Sequence, residues 1–549
     1  MPTDGLKKRR HSMEINISGV LLTDTPINKL STEILVNIFS LNGHADACYI
    51  DLINTAIDDI VPTPEHEAAL TVTRSSSQVC HHWREILLDS PKIWATSLDL
   101  HCLDQASDEW RNEVLRRTGN RLLTVVGTLT GEKHYLDFFK EILANHWTRI
   151  RRLFLCGSAL KSELWAALQR PSPNMELLAL GMIFHGVKAD ENDVFLGDYA
   201  PRLVGFRARR FIDPDLSWYR NIREVWDLPI DVFNVPELLH LLSNMKYLEL
   251  LKLSGHVFLE ESDDEDGNIS SVGPVSIPSL KFLSLFGTAP FSFIPILLLL
   301  VPAPNCALQL EGNCEENVSA DELEGLAAAL STFFHNSPQK WSHLGYGLQE
   351  SMCHLNLDPT RSDFRPFVSI HNIDNDWDES HFPCLILKAL PPKQVSMVKE
   401  VSLSFSYLPS VTSVLEEFLD RLLKMELLSI DMGTLGVLNE LLEDRKEVGC
   451  HPFPCLGTVS IRWEENDSLA RDGPLHQFLS RRRDVGSRIR ILQVHNYQGN
   501  PELLVTLAKM FETKLELGDG DIWSEQVLFP SEIDYESAMA GIVNELDLL

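Results

Sequence analysis

The chain has 549 residues, 44% of them hydrophobic and 23% charged, with a formal net charge of −30 at neutral pH. The composition is globular and the length exceeds what one compact core organises, so a repeat architecture or several domains are expected. So acidic a surface repels phosphate backbones and anionic lipid, which argues against nucleic-acid and membrane partners.

In chain order, residues 1–25 read as a flexible tail. Its basic cluster, Lys7 to Arg10, is followed by no apolar segment, so no secretory signal is read there. The ten cysteines form no C-x-x-C pair, the usage of reduced intracellular thiols. A cytoplasmic and/or nuclear location is expected. The first patterned stretch runs from Ile27 to Leu41. Leu30, Ile34 and Ile38 recur at i, i+4 and i+8, with Leu35 and Phe39 beside them, an apolar stripe at helical period. Ser31 is placed to accept an amide of the first turn. Residues 42–77 read as an inserted loop, with Pro62 and Pro64 restricting their neighbours and helix favoured over Glu65–Leu70. The pattern resumes with Val79, Trp83, Ile86 and Leu87 on one helical face. Asp89-Ser90-Pro91 ends that helix and starts a third, with Ser90 as N-cap and Pro91 at the first helical position. Ile93 and Trp94 give the third helix an apolar side. Three short helices with more apolar surface than they can bury fit a cap on a larger domain or a partner-binding module equally well.

The residues of these stretches resemble an F-box. Ile27, Leu30, Glu33, Ile34, Leu35, Ile38 and Phe39, then Val79, Cys80, Trp83, Arg84, Ile86, Pro91 and Trp94, follow that family's order. Ser31 stands where the family has proline, and Ile93 where it has leucine. The long gap and the trailing residues 94–100 are most similar to the F-box families of mushroom-type (basidiomycete) fungi. The resemblance implies a small all-α unit over residues 26–100, docked on a Skp-type linker protein and through it on a cullin–RING ubiquitin ligase. The docking residues it implies are Leu30, Ile34, Leu35, Ile38, Val79, Trp83, Ile86, Pro91, Ile93 and Trp94. Some of these must instead hold the helices together, and the sequence does not divide the two groups.

After Leu100 helix and strand alternate. An amphipathic helix over residues 109–117 closes at Gly119. Strand-like segments follow at 122–126, 150–155, 175–180, 202–206, 222–226, 248–253 and 280–285, then at 398–403, 425–430, 456–461 and 489–494. They recur roughly every 21 to 33 residues with one long gap, a period and L-x-x-L-x-L spacing that resemble leucine-rich repeats. The asparagine position of regular repeats is mostly absent, and a plain α/β domain would also alternate. The fold class expected is α/β: a three-helix F-box, then an irregular leucine-rich-repeat-like solenoid over residues 101–517, with 518–549 as an acidic edge or tail. The apolar run 291–301 reads as one buried helix, interrupted by Pro295 and too short to span a bilayer. Residues 313–392, with His335, Trp341, His343, His354 and Trp377, fit the repeat worst and are expected to be an inserted helix and loops. The acidic run 260–267 reads as a solvated loop, since it lacks the late glutamate of a calcium loop.

No nucleophile elbow, phosphate loop or metalloprotease motif occurs. Cys80-His81-His82 points three ligands in different directions, and Cys450-His451 and Cys455 are split by prolines. No cofactor or metal is expected, and no enzyme. The expected function is a substrate-recognition adaptor of the ligase, with an unidentified protein substrate. A repeat scaffold outside any ligase is the alternative. Strand alternation sends Leu153 and Leu155 into the core and Arg152 and Phe154 outward. The same count turns Arg207, Trp226, Lys252 and Phe286 outward as a substrate face, which a one-residue slip would invert.

Overall fold

The computed structural model describes residues 26–42, 69–105, 107–129, 134–157, 161–181, 194–208, 215–229, 233–255, 273–287, 290–314, 319–336, 340–349, 352–359, 366–372, 382–406, 412–443, 453–463, 473–497 and 501–518. The tail with its basic cluster, the insert over 43–68, the acidic run 260–267, Trp377, the Cys450-His451 pair and the acidic end 519–549 lie outside them.

Four helices open the described chain: α1 (Thr32–Asn42), α2 (Ala69–Ser76), α3 (His81–Leu88) and α4 (Pro91–Thr96). Three were expected as the unit, and α2 begins within the segment 65–70 where helix is favoured and runs on to Ser76. Half of its residues are Thr or Ser, poor helix formers. It forms because Ala69, Leu70 and Thr73 are buried along one side. At α3 the cap is Cys80, whose Sγ accepts the Trp83 amide at 3.5 Å. Ser90 precedes α4, but its hydroxyl makes no cap bond and donates back to the Ile86 carbonyl at 2.6 Å. Pro91, with φ already set, starts that helix.

Among the described residues the remainder is mixed α/β, built on one 17-stranded, mostly parallel sheet. Its first run is β1 (Leu98–Asp99), β2 (Leu123–Leu129), β3 (Ile150–Gly157), β4 (Leu177–Gly181), β5 (Gly205–Ala208), β6 (Glu224–Pro229) and β7 (Leu250–Ser254), each parallel to the next. Then come β8 (Val275–Ile277), β9 (Phe282–Gly287), β10 (Leu300–Pro302) and β11 (Ala307–Cys314). Strands β9 and β11 continue the sheet, while β8 and β10 form a separate pair. The order then reverses. Of β12 (Trp341–Gln349), β13 (Met352–Pro359) and β14 (Phe367–Asn372), it is β14 that lies beside β11. Strand β13 runs antiparallel between β14 and β12. Strand β12 then restores the parallel order with β15 (Glu400–Phe405), followed by β16 (Leu427–Asp431), β17 (Thr458–Arg462), β18 (Ile491–His495) and β19 (Lys514–Gly518).

Most strands of the parallel runs start two or three residues after the apolar segment that announced them. The leading apolar residue closes a turn instead. Met175, Leu203, Ile222, Leu248, Leu280, Val398, Met425 and Leu456 each donate their amide to the carbonyl three residues back, and all eight are buried. The strand proper then contributes to two faces. Val125, Leu153, Leu178, Phe206, Val225, Leu251, Leu283 and Leu308 stand in one register row, buried against helices such as Tyr135–Asn145 and Val235–Asn244. On the opposite face Val126, Phe154, Leu177, Ala179, Trp226, Leu250, Phe282 and Ala307 form a second, smaller cluster, reached from α2 by Ala69.

Strands β1, β8, β11 and β19 were not expected, and two segments given another reading differ from it. The run 291–301 is a 3₁₀ turn up to Phe293 and an α-helix over Ile294–Leu299, and Leu300–Pro302 then turn into β10 and pair with β8. Residues 313–392 hold helices at Ala320–Asn336 and Phe382–Ala389, and also three strands. Strand β12 was unreadable because Gly345 and Gly347 interrupt its alternation, glycine being a poor strand former. Gly347 is required there: a Cβ in its place would sit 1.9 Å from Cε1 of the His354 ring. Among the described residues no helix is long and apolar enough to cross a membrane.

Two outcomes follow for this crossing. Gly347→Ala destabilises the protein by about 1–3 kcal/mol through overpacking, and His354→Ala in the same chain restores most of the loss in a denaturant titration. His354 is 4% exposed and neither ring nitrogen has a hydrogen-bond partner. Burial, with the charge of His371 adding to it, holds its pKa down to about 4, from 6.5. The unfolded chain therefore takes up this proton first. The folded state keeps its full stability above pH 6.5 and loses up to about 3 kcal/mol as pH falls towards 4. His354→Phe removes that part of the acid sensitivity, measured as the wild-type minus variant difference in unfolding free energy across the window.

Candidate functional site

Two surfaces gather the residues that the sequence singled out. The first is the helical unit at the N-terminal end. Leu35, Phe39, Ile86, Leu87 and Ile93 fill a small core of their own, with Leu30, Val36 and Trp83 packed against it. The Phe39 and Trp83 rings meet edge to face, their centroids 4.9 Å apart. Trp94 belongs to the main core rather than to this one. Its indole Nε1 donates to the Leu87 carbonyl at 2.7 Å, and the Arg117 guanidinium lies 4.6 Å from its ring centroid.

This packing divides the ten docking residues. Leu35, Ile86, Ile93 and Trp94 are buried and hold the unit together, so they are unavailable to a partner. Leu30, Ile38, Trp83 and Pro91 are partly exposed. Ile34 is 48% exposed and Val79 62%. Ile27, marked by the motif but not among the ten, is also exposed, and the structure adds apolar neighbours that the motif did not mark: Leu41 at 75%, with Leu88 also exposed. Leu41 was within reach of the sequence, because Ile34, Ile38 and Leu41 repeat at i, i+4 and i+7 on one helical face.

The second surface is the sheet face away from the helices. The alternation holds: Leu153 and Leu155 enter the main core, and Arg152 and Phe154 point to the other side. They are not exposed there. Phe154 stands in register with Val126 and Ala179, and strands less than about 5 Å apart leave no room for water between such side chains. Arg152, Phe154, Arg207 and Trp226 are all buried. Trp226 lies across Gly205, where a Cβ would come within 2.6 Å of its ring. Only Lys252, partly exposed, and Phe286, at 52%, reach the surface.

Around Lys252 the face is charged. A bulge between Val225 and Leu228 places Asp227 at φ +68°, the left-handed region that aspartate tolerates better than most residues. Its Oδ2 accepts from Arg207 Nη2 at 2.8 Å and Nε at 3.2 Å, and its Oδ1 accepts from the Ser254 hydroxyl. Burial, with Arg207 adding to it, pushes the Lys252 amine down to about 8. Burial likewise raises the Glu224 carboxyl to about 7. Among the described residues no group of three or more His, Cys, Asp or Glu is placed to hold a metal ion.

Neither the family models nor the curated proteins include a match to this chain.

The division of the helical residues is testable by mutation. Trp94→Ala costs about 3–5 kcal/mol, as for truncation of a buried tryptophan. Ile34→Ser, at an exposed position, changes stability by no more than about 0.5 kcal/mol. Urea unfolding of the two variants beside wild type measures both.

Proposed function

We propose that the chain is a substrate-recognition adaptor, an F-box protein whose N-terminal helices dock on a Skp-type linker of a cullin–RING ubiquitin ligase. The observation that carries this reading is the exposure of Ile34, Val79 and Leu41 beside a core already filled by Leu35, Phe39, Ile86, Leu87 and Ile93. Helices that only capped the sheet would turn their apolar residues inward. Here the unit satisfies its own core and still presents aliphatic side chains, the anchors that a partner interface uses. Strands laid side by side in sequence order fit an irregular leucine-rich-repeat-like solenoid, the part that would hold the substrate. Such a protein does no chemistry. It raises the local concentration of substrate lysines near a charged ubiquitin carrier, in the cytoplasm or nucleus where these ligases work.

The test is co-expression with a Skp-type linker protein and a cullin N-terminal fragment, followed by size exclusion. Wild type is expected to co-elute with both. An Ile34→Asp, Val79→Asp double variant, folded by circular dichroism, is expected to elute alone. A folded wild-type chain that forms no complex overturns the proposal and leaves the scaffold reading.

A further inference from the structure

The loops that lead into β3, β4 and β5 stand side by side and are bonded to one another. The Trp147 indole Nε1 donates to the Pro171 carbonyl at 3.1 Å, and the Asn174 Nδ2 to the Thr148 carbonyl at 2.8 Å. The Ser172 amide donates to the Tyr199 carbonyl at 2.9 Å. Leu196, Gly197 and Asp198 turn left-handed, at φ +53°, +56° and +49°. That turn packs against the loop before β4, where a Cβ at Gly197 would lie 2.9 Å from Pro171 Cδ. A cleft of about 390 Å³ lies between these loops, lined by Trp147, Thr148, Arg170, Pro171, Pro173 and Tyr199. Tyr199 is 55% exposed, and Thr148 and Pro171 are exposed, so the cleft is open to solvent. Walls fixed before anything binds cost a ligand little reorganisation.

Arg170 gives the cleft its charge. The guanidinium lies 5.5 Å from the Trp147 ring centroid, and its Nη2 donates to the Leu143 carbonyl. Its Nε is buried with no hydrogen-bond partner. A ring and a carbonyl do not supply the opposite charge that a guanidinium pairs with best, and among the described residues no carboxylate is bonded to it. Arg149, two residues on from Trp147, likewise gives its donors to the Arg121 carbonyl, the Thr118 hydroxyl and His146. Of the acids on these loops, Glu176 is bonded to Arg151 at 2.6 Å and Asp198 accepts the Ser217 amide at 2.6 Å.

We propose that this cleft binds an extended peptide segment that carries a carboxylate beside an aromatic ring, the carboxylate pairing with Arg170 and the ring packing on Pro171 and Tyr199. A carboxylate accepts from a guanidinium in the geometry that both prefer. The exposed Tyr199 ring offers an aromatic partner a flat or edge-on contact. The open side lets a chain pass through, where an enclosed cavity would hold only a small molecule. Binding is independent of the N-terminal helices, and only the description of the peptide as a substrate rests on the ligase reading.

The experiment is to pan a random octapeptide phage library on the full chain, in parallel on Arg170→Gln and Tyr199→Ser chains matched in circular dichroism. Wild type is expected to enrich peptides with an acidic residue within two positions of an aromatic one, and both variants to lose that set. The best peptide, made with a fluorophore, is expected to bind Arg170→Gln about tenfold more weakly, and wild type equally so when its acid is replaced by the amide. The two changes together are expected to cost no more than either alone, which a merely structural role of Arg170 would not produce. Tyr199 is exposed, so Tyr199→Ser and the amide peptide decide the matter should Arg170→Gln not fold. No enrichment on the folded wild-type chain, an enriched set without the acid, or effects of acid and Arg170 that add, overturns the site. A fluorescent single-stranded oligonucleotide is expected not to bind, and binding lost in the same two variants overturns the peptide assignment. No linker protein is present in this assay, so its failure is distinct from failure of the docking experiment.

Discussion

Strands β2 to β7, β9 and β11 of the long sheet each place one apolar residue in a common row and pair with a neighbour on each side. The row from Val125 to Leu308 is the physical constraint on which the fold rests. No strand there is longer than 8 residues, and none could bury its side chain alone. The helices cover the row, but the ladder keeps its members in line, because a slip of one residue would exchange Leu153 for Arg152. The turn before most strands enforces this alignment. Its leading apolar residue is anchored in the core and its amide is bonded three residues back, so the strand starts at a fixed height.

That regularity is why so much of the fold was legible. Each strand predicted outside residues 313–392 exists, displaced at its start where the first apolar residue forms the turn. The alternation of Leu153 and Phe154 was also readable, since period 2 decides the face. Accessibility was not, because it depends on what stands in the next strand. Phe154 is closed in by Val126 and Ala179, and Trp226 can lie flat only because residue 205 is glycine. The antiparallel excursion was lost for a related reason. Gly345 and Gly347 read as breaks, whereas they make room for Asn356 and His354 on the opposing strand.

The helical unit shows the same limit. A motif marks which positions are apolar, but a stripe on a short helix has an inner and an outer half. Leu35 and Ile34 are adjacent in sequence and opposite in circumstance, one fully buried and one half exposed. Only the placement of α3 and α4 decides between them. Trp94, the most prominent residue of the pattern, packs in the main core under Arg117, while its indole donates to the carbonyl of Leu87 in the helical unit. It thereby ties the helical unit to the sheet.

The reversed pair at β12 and β13 bears on how the chain is assembled as it is made. Through β11 each new strand of the sheet can add beside the last one laid down, with β8 and β10 pairing apart, so the ladder can lengthen from its first-made end. After Cys314 this stops. The next strand to emerge, β12, has its place beside β15, and the neighbour of β11 is β14, which begins at Phe367. For that length of chain the outer edge of β11 has no partner, and open strand edges invite pairing with other chains. The strands from β15 onward align on β12, not on β11. The molecule thus has two growing ends that are sealed by a single junction between β11 and β14, and that junction is the step at which a nascent chain is most open to mispairing.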